Sequence, residues 1–538
     1  MSVHHRVFAA LVVGFITIFL VSGSVHAVSP CLSTDDGRCL PAPYRVSGSP
    51  PAPPHTRQSA KQGPAVLVKR RKGITAADFK TRLQALGYRG AVGLVVKRWW
   101  KVPVPVGQNA DQVMSRLARM PEAEVVEKDR TLHATYLPDD TYFAYQWGMQ
   151  TIQAPAAWDE GSGSPNVWIA VVDTGIDYDH PDRPVYLING YNFVDGNTDP
   201  YDDNGHGTHV AGIAAADTNN GIGVAGLCYD CEVLAVKVAD SNGNATNSNL
   251  ADGIEYAAYW GQQYGASTVI NLSLGSPAYS SIIAQAVSDA QAMGDLVVAA
   301  SGNSGPGLPG YPAALPDVVS VSATDSSDIP ASFSQYGDIA APGVSIMSTV
   351  PTWYLNPPYT IMSGTSMASP HVAGAAGLVW SLFPACSGNQ IASELLNTVD
   401  IPTGWDGNYG WGRLNVNNAI LRFTTNALPA GNTGIYYSQT IDTFGGTALT
   451  TFTISSGALP PGLSMTSWGL IYGSPTQPGT YSFNIHVADG GCEAINQLFS
   501  ISVQGLPIPT ATSVPTITPM PTLTPTPASY SYLPFVSR

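Results

Sequence analysis

The chain has 538 residues, more than a single hydrophobic core accommodates, so two or more domains are expected. Its formal net charge of −14 is unevenly divided, because residues 28–133 carry 18 Lys and Arg against 8 Asp and Glu, whereas residues 134–538 carry 5 against 30. The acidic remainder argues against nucleic acid as a partner, and the two oppositely charged parts are expected to attract each other.

The first 27 residues have the three-part pattern of a secretory signal peptide. Arg6 precedes an apolar run over residues 7–21, and residues 25–27, VHA, supply a small-residue cleavage site. The run is shorter than the roughly twenty residues that cross a bilayer. We therefore expect a secreted or cell-surface protein whose mature chain has no membrane span.

Six cysteines in an exported chain predict scattered disulfides. Two pairs close in sequence are expected to form small structural bridges, namely Cys31 with Cys39 and Cys228 with Cys231. The second pair is a CxxC sequence, which also suits redox or zinc chemistry, but no further pair lies nearby to complete a metal site. Cys386 and Cys492 fall in different predicted domains, and the sequence leaves open whether they join.

The basic part of the chain has two sections. Residues 28–63 are rich in Pro, Ser and Arg, which predicts an extended lead-in. Residues 64–133 have the β-α-β-β-α-β pattern of a split βαβ unit. The predicted elements are a strand at 64–68, a helix at 76–86, strand-like runs at 92–100 and 102–106, a helix at 111–120 and a strand at 123–127.

Two motifs in the acidic part offer a carboxylate and an imidazole. Residues 167–172, VWIAVV, predict a buried strand that ends in Asp173, and ligand chemistry in open α/β sheets gathers at such strand ends. Residues 203–212, DNGHGTHVAG, predict a turn entering a helix, with His206 near its start. An aspartic protease would need a second Asp-Thr-Gly, and a zinc protease would need H-E-x-x-H. Neither sequence is present.

A third motif places a hydroxyl where a nucleophile could be made. In residues 364–374, GTSMASPHVAG, a glycine turn runs into a helix whose free N–H groups and positive dipole end lie beside Ser366. A serine nucleophile needs a base, and the base needs an orienting carboxylate. A fourth segment, residues 297–303, VVAASGN, predicts a buried strand that ends in a glycine turn at Asn303.

With the chain order Asp, His, Ser, residues 138–423 resemble the subtilisin family of serine proteases. Residues 140–147 and 153–155 resemble its thermitase branch. The resemblance implies an α/β, three-layer domain with a mainly parallel sheet and secreted endopeptidase activity on protein or peptide substrates. It also implies that Asp173 is the carboxylate that orients the base, His206 is the general base and Ser366 is the nucleophile. Asn303 is expected to donate its side-chain N–H to the oxyanion, together with the backbone N–H of Ser366. The alternative is an adhesin-like binding protein with an inert protease domain, and the complete set of four residues favours the enzyme.

Residues 64–133 in turn resemble the inhibitory propeptides of subtilisin-like proteases. Residues 28–137 are therefore predicted to be a propeptide that binds and inhibits its own acidic catalytic domain. Self-cleavage between about residues 133 and 138 is expected to release a monomeric enzyme.

The resemblance also implies calcium, which prefers oxygen ligands such as those of the loop at residues 217–224, DTNNGIGV. The strong family site matches the carboxylates of Asp140 and Asp182, the side chain of Asn220 and the carbonyls of Asp217, Ile222 and Val224. A second site matches Asp195, Asn197 and Asp199. Asn192 and Tyr201 stand where stronger oxygen ligands are expected at that second site, which makes its match the weaker of the two.

Substrate contacts are implied by the same resemblance. Residues 271–275 and 299–302 correspond to two walls of the S1 pocket, and Gly310 lies at its floor, where no acid is expected. A broad preference for apolar or aromatic P1 residues follows. Ala245 replaces a usual glycine on the strand that pairs with substrate, which could narrow the neighbouring subsite. The expected contact residues are Gly243, Asn244, Ala245, Ser273, Leu274, Gly275, Ala300, Gly302 and Gly310.

The chain changes character beyond residue 423. Residues 430–505 contain short alternating strands and Gly-Pro turns, which predict a β-sandwich, and the segments 459–463 and 479–483 resemble immunoglobulin-like modules appended to bacterial exported proteins. Its role as a binding unit or a spacer stays open. Residues 506–529 predict an extended Pro/Thr-rich linker, and the tail 530–538 is either a sorting signal or without function.

Overall fold

The structure is a computed structural model, which describes residues 31–34, 39–45, 65–94, 97–105, 110–129, 137–447 and 450–505. The predicted signal peptide, the Pro/Thr-rich linker, the C-terminal tail and most of the predicted cleavage region lie outside the described residues. None of the helices in the described ranges combines the length and the apolar character that a bilayer crossing requires.

The described part of the predicted lead-in is a short arm that docks on a distant strand. Strands β1 (Cys31–Ser33) and β2 (Cys39–Pro41) form an antiparallel hairpin, and β3 (Tyr44–Arg45) follows. Cys39 is disulfide-bonded. β3 pairs antiparallel with residues 188–189, and Arg45 forms an ion pair with Glu232 at 2.9 Å. The docking was not indicated by the sequence.

The basic unit folds in the predicted β-α-β-β-α-β order around its own core. Its four strands form an antiparallel sheet in the order Val92–Gly93, Trp99–Pro103, Ala65–Arg70 and Ala123–Asp129. The predicted boundary between the second and third strands along the chain was misplaced. The chain turns at residues 97–98, where Arg98 has a φ of 72°, so Trp99 already belongs to the third strand. The elements are β4 (Ala65–Arg70), α1 (Ala76–Ala85), β5 (Val92–Gly93), β6 (Trp99–Pro103), α2 (Ala110–Ala118) and β7 (Ala123–Asp129).

The central domain alternates strands and helices, as an α/β fold requires. Its elements are α3 (Trp147–Thr151), α4 (Ala154–Ala157), β8 (Val167–Asp173), β9 (Tyr186–Asn192), α5 (His206–Ala215), β10 (Glu232–Lys237), α6 (Asn247–Tyr264), β11 (Ser267–Leu272), α7 (Ser281–Ala292), β12 (Leu296–Ala300), β13 (Val319–Thr324), β14 (Ile339–Pro342), β15 (Ile346–Thr349), β16 (Tyr359–Met362), α8 (Thr365–Leu382) and α9 (Gly388–Asn397).

The sheet of this domain has eight strands in the order β14-β13-β12-β11-β8-β10-β9-β3. The pairs from β14 to β9 are parallel, and the arm strand β3 is the antiparallel edge. A mainly parallel sheet was predicted, and this is confirmed. Because parallel strands end on the same side, the carboxyl ends of β8, β11 and β12 bring their following loops together.

Helices cover both faces of the sheet and give three layers. Alternate residues of β8 point to opposite faces, with Ile169 and Val171 in the core that contains α5 and α8, and Trp168, Ala170 and Val172 in the core that contains α6 and α7. All seven residues of β8 are buried, as expected for a parallel strand covered on both sides.

Polar residues define the ends of helices α6 and α9. Thr246 precedes α6 and its hydroxyl accepts the Asn249 N–H at 3.1 Å, while Gly265 ends the helix with a φ of 67°. Ser387 and Gln390 form a reciprocal capping box at the start of α9. Each of these caps lies where the hydrophobic pattern of its helix begins or ends.

The C-terminal region is a β-rich module, as predicted. Its main sheets have the orders β18-β25-β24-β21 and β19-β23-β22, and β17 pairs with β20. The strands are β17 (Arg422–Phe423), β18 (Gly431–Asn432), β19 (Tyr437–Thr440), β20 (Thr443–Phe444), β21 (Thr451–Gly457), β22 (Leu463–Met465), β23 (Leu470–Gly473), β24 (Gly479–Ala488) and β25 (Ala494–Gln504).

The module packs directly against the central domain. Buried residues such as Phe483 and Ile501 belong to the same apolar cluster as Ile391 and Leu395 of α9. The structure also joins Cys386 to Cys492, with Cα atoms 5.5 Å apart, and Cys228 to Cys231. The first of these pairs links the two domains, which answers the question that the sequence left open.

Candidate active site

Asp173 and His206, predicted as the orienting carboxylate and the general base, face each other at the end of the sheet. Asp173 is the last residue of β8, and His206 is the first residue of α5. The Nδ1 of His206 lies 2.8 Å from Oδ1 of Asp173. The carboxylate side chain is 1% exposed and the imidazole 28%. Since Nδ1–H donates to Asp173, Nε2 carries the free lone pair and can accept a proton.

Glycines allow this close approach of helix and strand. A Cβ added to Gly207 would overlap the carbonyl oxygen of Gly175, which follows the strand of Asp173 by two residues. Gly175 itself has a φ of 106°, a conformation that favours glycine. The two glycines in the sequence motifs are therefore steric requirements for the contact between Asp173 and His206.

The electrostatics of the pair favour a protonated imidazole. Burial alone lowers the pKa of His206, but the charge of Asp173 and its hydrogen bond to the ring outweigh this, and Asp202 adds a smaller contribution. The net result is a pKa raised above the ordinary 6.5. A base of this kind holds a proton once it has accepted one, which suits a proton transfer at near-neutral pH.

Buried charges that the sequence reasoning missed support this region. The carboxylate of Asp202 accepts the Gly205 N–H at 2.8 Å and the Thr174 hydroxyl at 2.9 Å. The fully buried Lys237 donates to the Thr174 carbonyl at 2.7 Å and to Asp203 at 2.6 Å. One signal was available, because a lysine at the end of an otherwise apolar strand needs a polar partner.

Ser366 is the second residue of α8, at the helix start that the sequence predicted. Its hydroxyl donates to the carbonyl oxygen of Ser273 at 2.9 Å. The structure records no hydrogen bond between this hydroxyl and His206, although both residues lie in the described range 137–447. The hydroxyl must therefore exchange its bond to Ser273 for one to an imidazole before its proton can be transferred.

Asn303 is fixed beside the serine turn. Its side-chain oxygen accepts the Thr365 N–H at 2.9 Å and the Thr365 hydroxyl at 3.0 Å. A Cβ placed on Gly364 would lie 3.4 Å from Nδ2 of Asn303, so the amide nitrogen lies against the turn. Because the oxygen is occupied by two donors, Nδ2 is left to donate outward. Thr365, which the sequence reasoning did not single out, holds this orientation.

A buried polar network lies beneath the serine. Nδ2 of Asn271 donates to the Ser273 hydroxyl at 2.9 Å, and that hydroxyl donates to the Ser366 carbonyl at 3.0 Å. The Ser369 hydroxyl donates to Oδ1 of Asn271 at 2.8 Å. These bonds join the end of β11 to the first turn of α8 and fix the position of Ser366.

The segments predicted as walls of the S1 pocket lie beside the serine turn. Ser273 follows β11 and contacts Ser366 directly, as described by their two hydrogen bonds. Ala300 ends β12, and the N–H of Gly310 donates to the Ser301 carbonyl at 2.9 Å. The structure thus brings together the segments that contain the predicted residues Ser273, Leu274, Gly275, Ala300, Gly302 and Gly310.

Gln335 is an unpredicted neighbour of this region. A Cβ on Gly302 would overlap the Gln335 side-chain oxygen, so glycine at this position makes room for that side chain. Gly302 has a φ of 120°, which also favours glycine. No local sequence pattern indicates this long-range contact.

The predicted substrate-pairing strand at residues 243–245 is an exposed turn on the His206 side of the site. Asp240 organises it by accepting the N–H groups of Asn242 and Asn244, both at 2.9 Å. Nδ2 of Asn204 donates to the Ser241 carbonyl at 3.0 Å, which ties the turn to the segment that carries His206.

The residues of the first predicted calcium site converge on one loop. Asp182 accepts Nδ2 of Asn220 at 2.8 Å on one carboxylate oxygen and the Val224 N–H at 2.8 Å on the other. Asp140 accepts the Asn219 N–H at 2.9 Å, and its second oxygen is buried without a hydrogen-bond partner. The structure therefore assembles Asp140, Asp182 and the loop from Asp217 through Ile222 to Val224.

The electrostatics of this loop fit a cation. Burial, with repulsion between neighbouring carboxylates, raises the pKa of Asp182 to about 8 and that of Asp140 to about 6. The pKa of Asp217 is also raised, mainly by burial. A calcium ion would provide a partner for the buried, unpartnered carboxylate oxygen of Asp140. The available ligand atoms are all oxygens, which calcium prefers.

The second predicted calcium site differs from the first. Asp195, Asn197 and Asp199 lie in an exposed turn. Asp195 accepts Nδ2 of Asn192 at 3.0 Å, Asn197 accepts the Asp199 N–H at 2.8 Å, and Asp199 accepts the Tyr178 hydroxyl at 3.0 Å. The side-chain oxygens are thus used within the turn, and this site remains a prediction.

Comparisons with known proteins agree with this geometry. The sequence profile described as the subtilase family matches residues 164–412, and that of an Ig domain family matches residues 419–504. A thermophilic serine proteinase from a Bacillus species is 44% identical over 316 residues, covering 58% of this chain and 76% of the relative. Thermitase from Thermoactinomyces vulgaris is 46% identical over 291 residues, covering 53% and 99%. Subtilisin Savinase from Lederbergia lenta is 46% identical over 276 residues, covering 51% and 97%.

Proposed function

The chain belongs to the subtilase family and is a subtilisin-like serine peptidase, and from this premise we propose that it is a secreted endopeptidase that works through Asp173, His206 and Ser366. The observation that carries the proposal is the 2.8 Å contact between Nδ1 of His206 and Asp173, together with the packing of α5, which begins at His206, against α8, which has Ser366 as its second residue. Asn303, held by its two bonds to Thr365, completes the set.

In the proposed acylation step, the Ser366 hydroxyl turns from the Ser273 carbonyl toward His206. Nε2 of His206 accepts the hydroxyl proton while Oγ bonds to the carbonyl carbon of the substrate. Asp173 keeps the imidazole in the required tautomer and stabilises the imidazolium that forms. The raised pKa of His206 is consistent with this role.

The negative charge then develops on the former carbonyl oxygen. Nδ2 of Asn303 and the backbone N–H of Ser366 would donate to it, and the positive end of the α8 dipole would add to the stabilisation. When the C–N bond breaks, His206 gives its proton to the leaving amine. Water next hydrolyses the acyl-enzyme with His206 again as the base, and Ser366 is regenerated.

Substrate preference follows from the same segments. We propose that extended peptides lie against residues 243–245, with the P1 side chain between Ser273–Gly275 and Ala300–Gly302 above Gly310. Apolar or aromatic P1 residues are expected. A panel of chromogenic peptides with Phe, Leu, Ala, Lys and Arg at P1 measures this, and fast cleavage only after Arg would exclude it.

We further propose that the enzyme is made as a zymogen. The basic unit at residues 64–133 would act as an intramolecular inhibitor, and cleavage near residues 133–138 would release a monomeric enzyme. Ser366→Ala protein expressed in a protease-free host should keep its full unprocessed mass. Purification at the processed mass would show that another protease performs the cleavage.

Calcium completes the proposal. Asp140, Asp182, Asn220 and the carbonyls of residues 217, 222 and 224 would hold the ion, with Asp195, Asn197 and Asp199 as a weaker second site, and the charge of the ion would offset the buried carboxylates. The cysteine pairs are expected to be oxidised after export.

Hydrolysis of casein by the processed protein, abolished by a serine-directed inhibitor, tests the enzymatic proposal as a whole. Binding to protein surfaces without hydrolysis would favour the inert binding protein instead.

A further inference from the structure

Three carboxylates meet at the junction between the central domain and the C-terminal module. Glu394 projects from helix α9, while Asp489 and Glu493 lie in the turn that joins β24 to β25. One carboxylate oxygen from each residue lies within 4.8 Å of the other two. Glu394 and Glu493 are 0% exposed and Asp489 is 9% exposed. None of these residues belongs to the active site or to the two predicted calcium sites.

Most of the oxygens of the two glutamates lack partners. Both oxygens of Glu394 and Oε1 of Glu493 are buried without a hydrogen bond. Oε2 of Glu493 accepts the Leu421 N–H at 2.7 Å. A buried carboxylate in this state needs a proton or a cation.

The third carboxylate is rigidly placed beside these oxygens. Oδ1 of Asp489 accepts the N–H groups of Gly491 and Glu493, both at 3.0 Å, and Oδ2 accepts the Thr447 N–H at 3.0 Å. Such hydrogen bonds orient carboxylates that ligate metals. A Cβ on Gly491 would overlap Oε1 of Glu394, so the turn is shaped to admit the glutamate from α9.

The charges at this junction are not balanced by basic side chains. Within the part of the chain that the structure describes, no lysine, arginine or histidine forms an ion pair with any of the three residues. A divalent cation would offset the charge of three carboxylates in one buried cluster.

We propose that Glu394, Asp489 and Glu493 bind a calcium ion that joins helix α9 to the β24–β25 turn. The donors are all oxygens, which suits a hard cation, and calcium accepts irregular arrangements of carboxylates and carbonyls more readily than magnesium does. The disulfide between Cys386 and Cys492 lies close to the same two elements, since Cys386 is two residues before the start of α9 and Cys492 directly precedes Glu493. The ion and the disulfide together fix the module against the central domain.

The test counts bound calcium in the full chain carrying Ser366→Ala, which prevents self-digestion. Equilibrium dialysis at saturating calcium should show one ion fewer per chain in E394Q/E493Q than in the parent. The matched control is Asp442→Asn, an exposed acid in the same module, which should keep the parental number. The comparison is a difference, so it does not depend on how many ions the other sites hold.

Thermal unfolding provides a second readout. Added calcium should raise the Tm of the parent and of the Asp442→Asn control by the same amount, and should raise that of E394Q/E493Q by less. An unchanged number of bound ions in E394Q/E493Q would overturn the proposal and leave shared protons as the explanation of the cluster. If that variant does not fold, crystals of the parent grown with calcium decide the question, because an anomalous peak between the three carboxylates is required and its absence would overturn the proposal.

Discussion

Asn303→Ala is expected to lower kcat by about 10²–10³-fold, equivalent to about 3–4 kcal/mol of activation free energy, with little change in KM. The size of the effect follows from the fixed orientation of the amide. Its oxygen is held by two bonds from Thr365, so Nδ2 needs no reorganisation as charge develops on the substrate. The lost donor acts on the transition state and not on the bound peptide, which is why kcat falls and KM does not.

The substitution has a structural side effect that a control must separate. Alanine at 303 also removes the acceptor of the buried Thr365 N–H, which costs about 1–3 kcal/mol of stability. Thr365→Val removes one of the two bonds to Asn303 and also the acceptor of the Gly302 N–H at 3.1 Å, while keeping the donor Nδ2. We expect it to lower kcat by less than about tenfold, since neutral hydrogen bonds of about 1 kcal/mol each are lost but the oxyanion donor stays.

The assay is steady-state hydrolysis of a chromogenic peptide, with Tm measured in parallel. If Asn303→Ala and Thr365→Val reduce kcat equally, the asparagine is only an anchor for the serine turn, and its assignment as an oxyanion donor is refuted. The same conclusion follows if Asn303→Ala stays within tenfold of the parent.

Three other predictions rest on charged groups. The acid limb of kcat/KM should have its midpoint above pH 6.5, because the His206 pKa is raised and only the neutral imidazole accepts a proton; NMR titration of Asp173→Asn should show that pKa lowered, and an unmoved pKa would contradict the pairing. Arg45→Ala should destabilise the unprocessed protein by about 1–2 kcal/mol in urea unfolding, since it leaves Glu232 buried without its partner while the arginine itself is largely exposed. Chelation should lower the Tm of the processed enzyme, as expected for a ligand bound only to the folded state. Asp182→Asn should reduce that difference by the share of the first calcium site; equal chelation effects in both proteins would show that no stabilising ion is bound at Asp182.

The sequence was most informative where one short segment contains both the functional side chain and its local geometry. Asp173, His206 and Ser366 each follow a recognisable strand end or helix start, so their convergence could be expected from a parallel sheet. Gly207 illustrates the same point. It is a glycine of the His206 motif because a side chain there would overlap the segment that follows Asp173.

The sequence was least informative where a role depends on residues far apart in the chain. Lys237 and Gln335 contact the site from separate segments, and neither has a local pattern that indicates its partner. The strand at Tyr44–Arg45 pairs with the edge of a sheet more than a hundred residues away in the chain, and Arg45 forms an ion pair with the buried Glu232. No local propensity encodes such a pairing.

The same limit applies at the module junction. Glu394 looks like an ordinary polar residue of a helix until the fold places Asp489 and Glu493 beside it. Likewise, Cys386 and Cys492 could be paired only once the module was seen to pack against α9. Domain sequences can be interpreted one by one, but their interface depends on the assembled chain.

The most direct test of the acyl-transfer centre is to trap its covalent intermediate. The processed enzyme is mixed with an activated ester, quenched in acid within the first turnover, digested, and analysed by mass spectrometry. We expect a burst of about one leaving group per active site and an acyl adduct on the peptide that contains Ser366, with no adduct in the Ser366→Ala protein. Hydrolysis that persists without this adduct, or an adduct on a different residue, would contradict the assignment of Ser366 as the nucleophile.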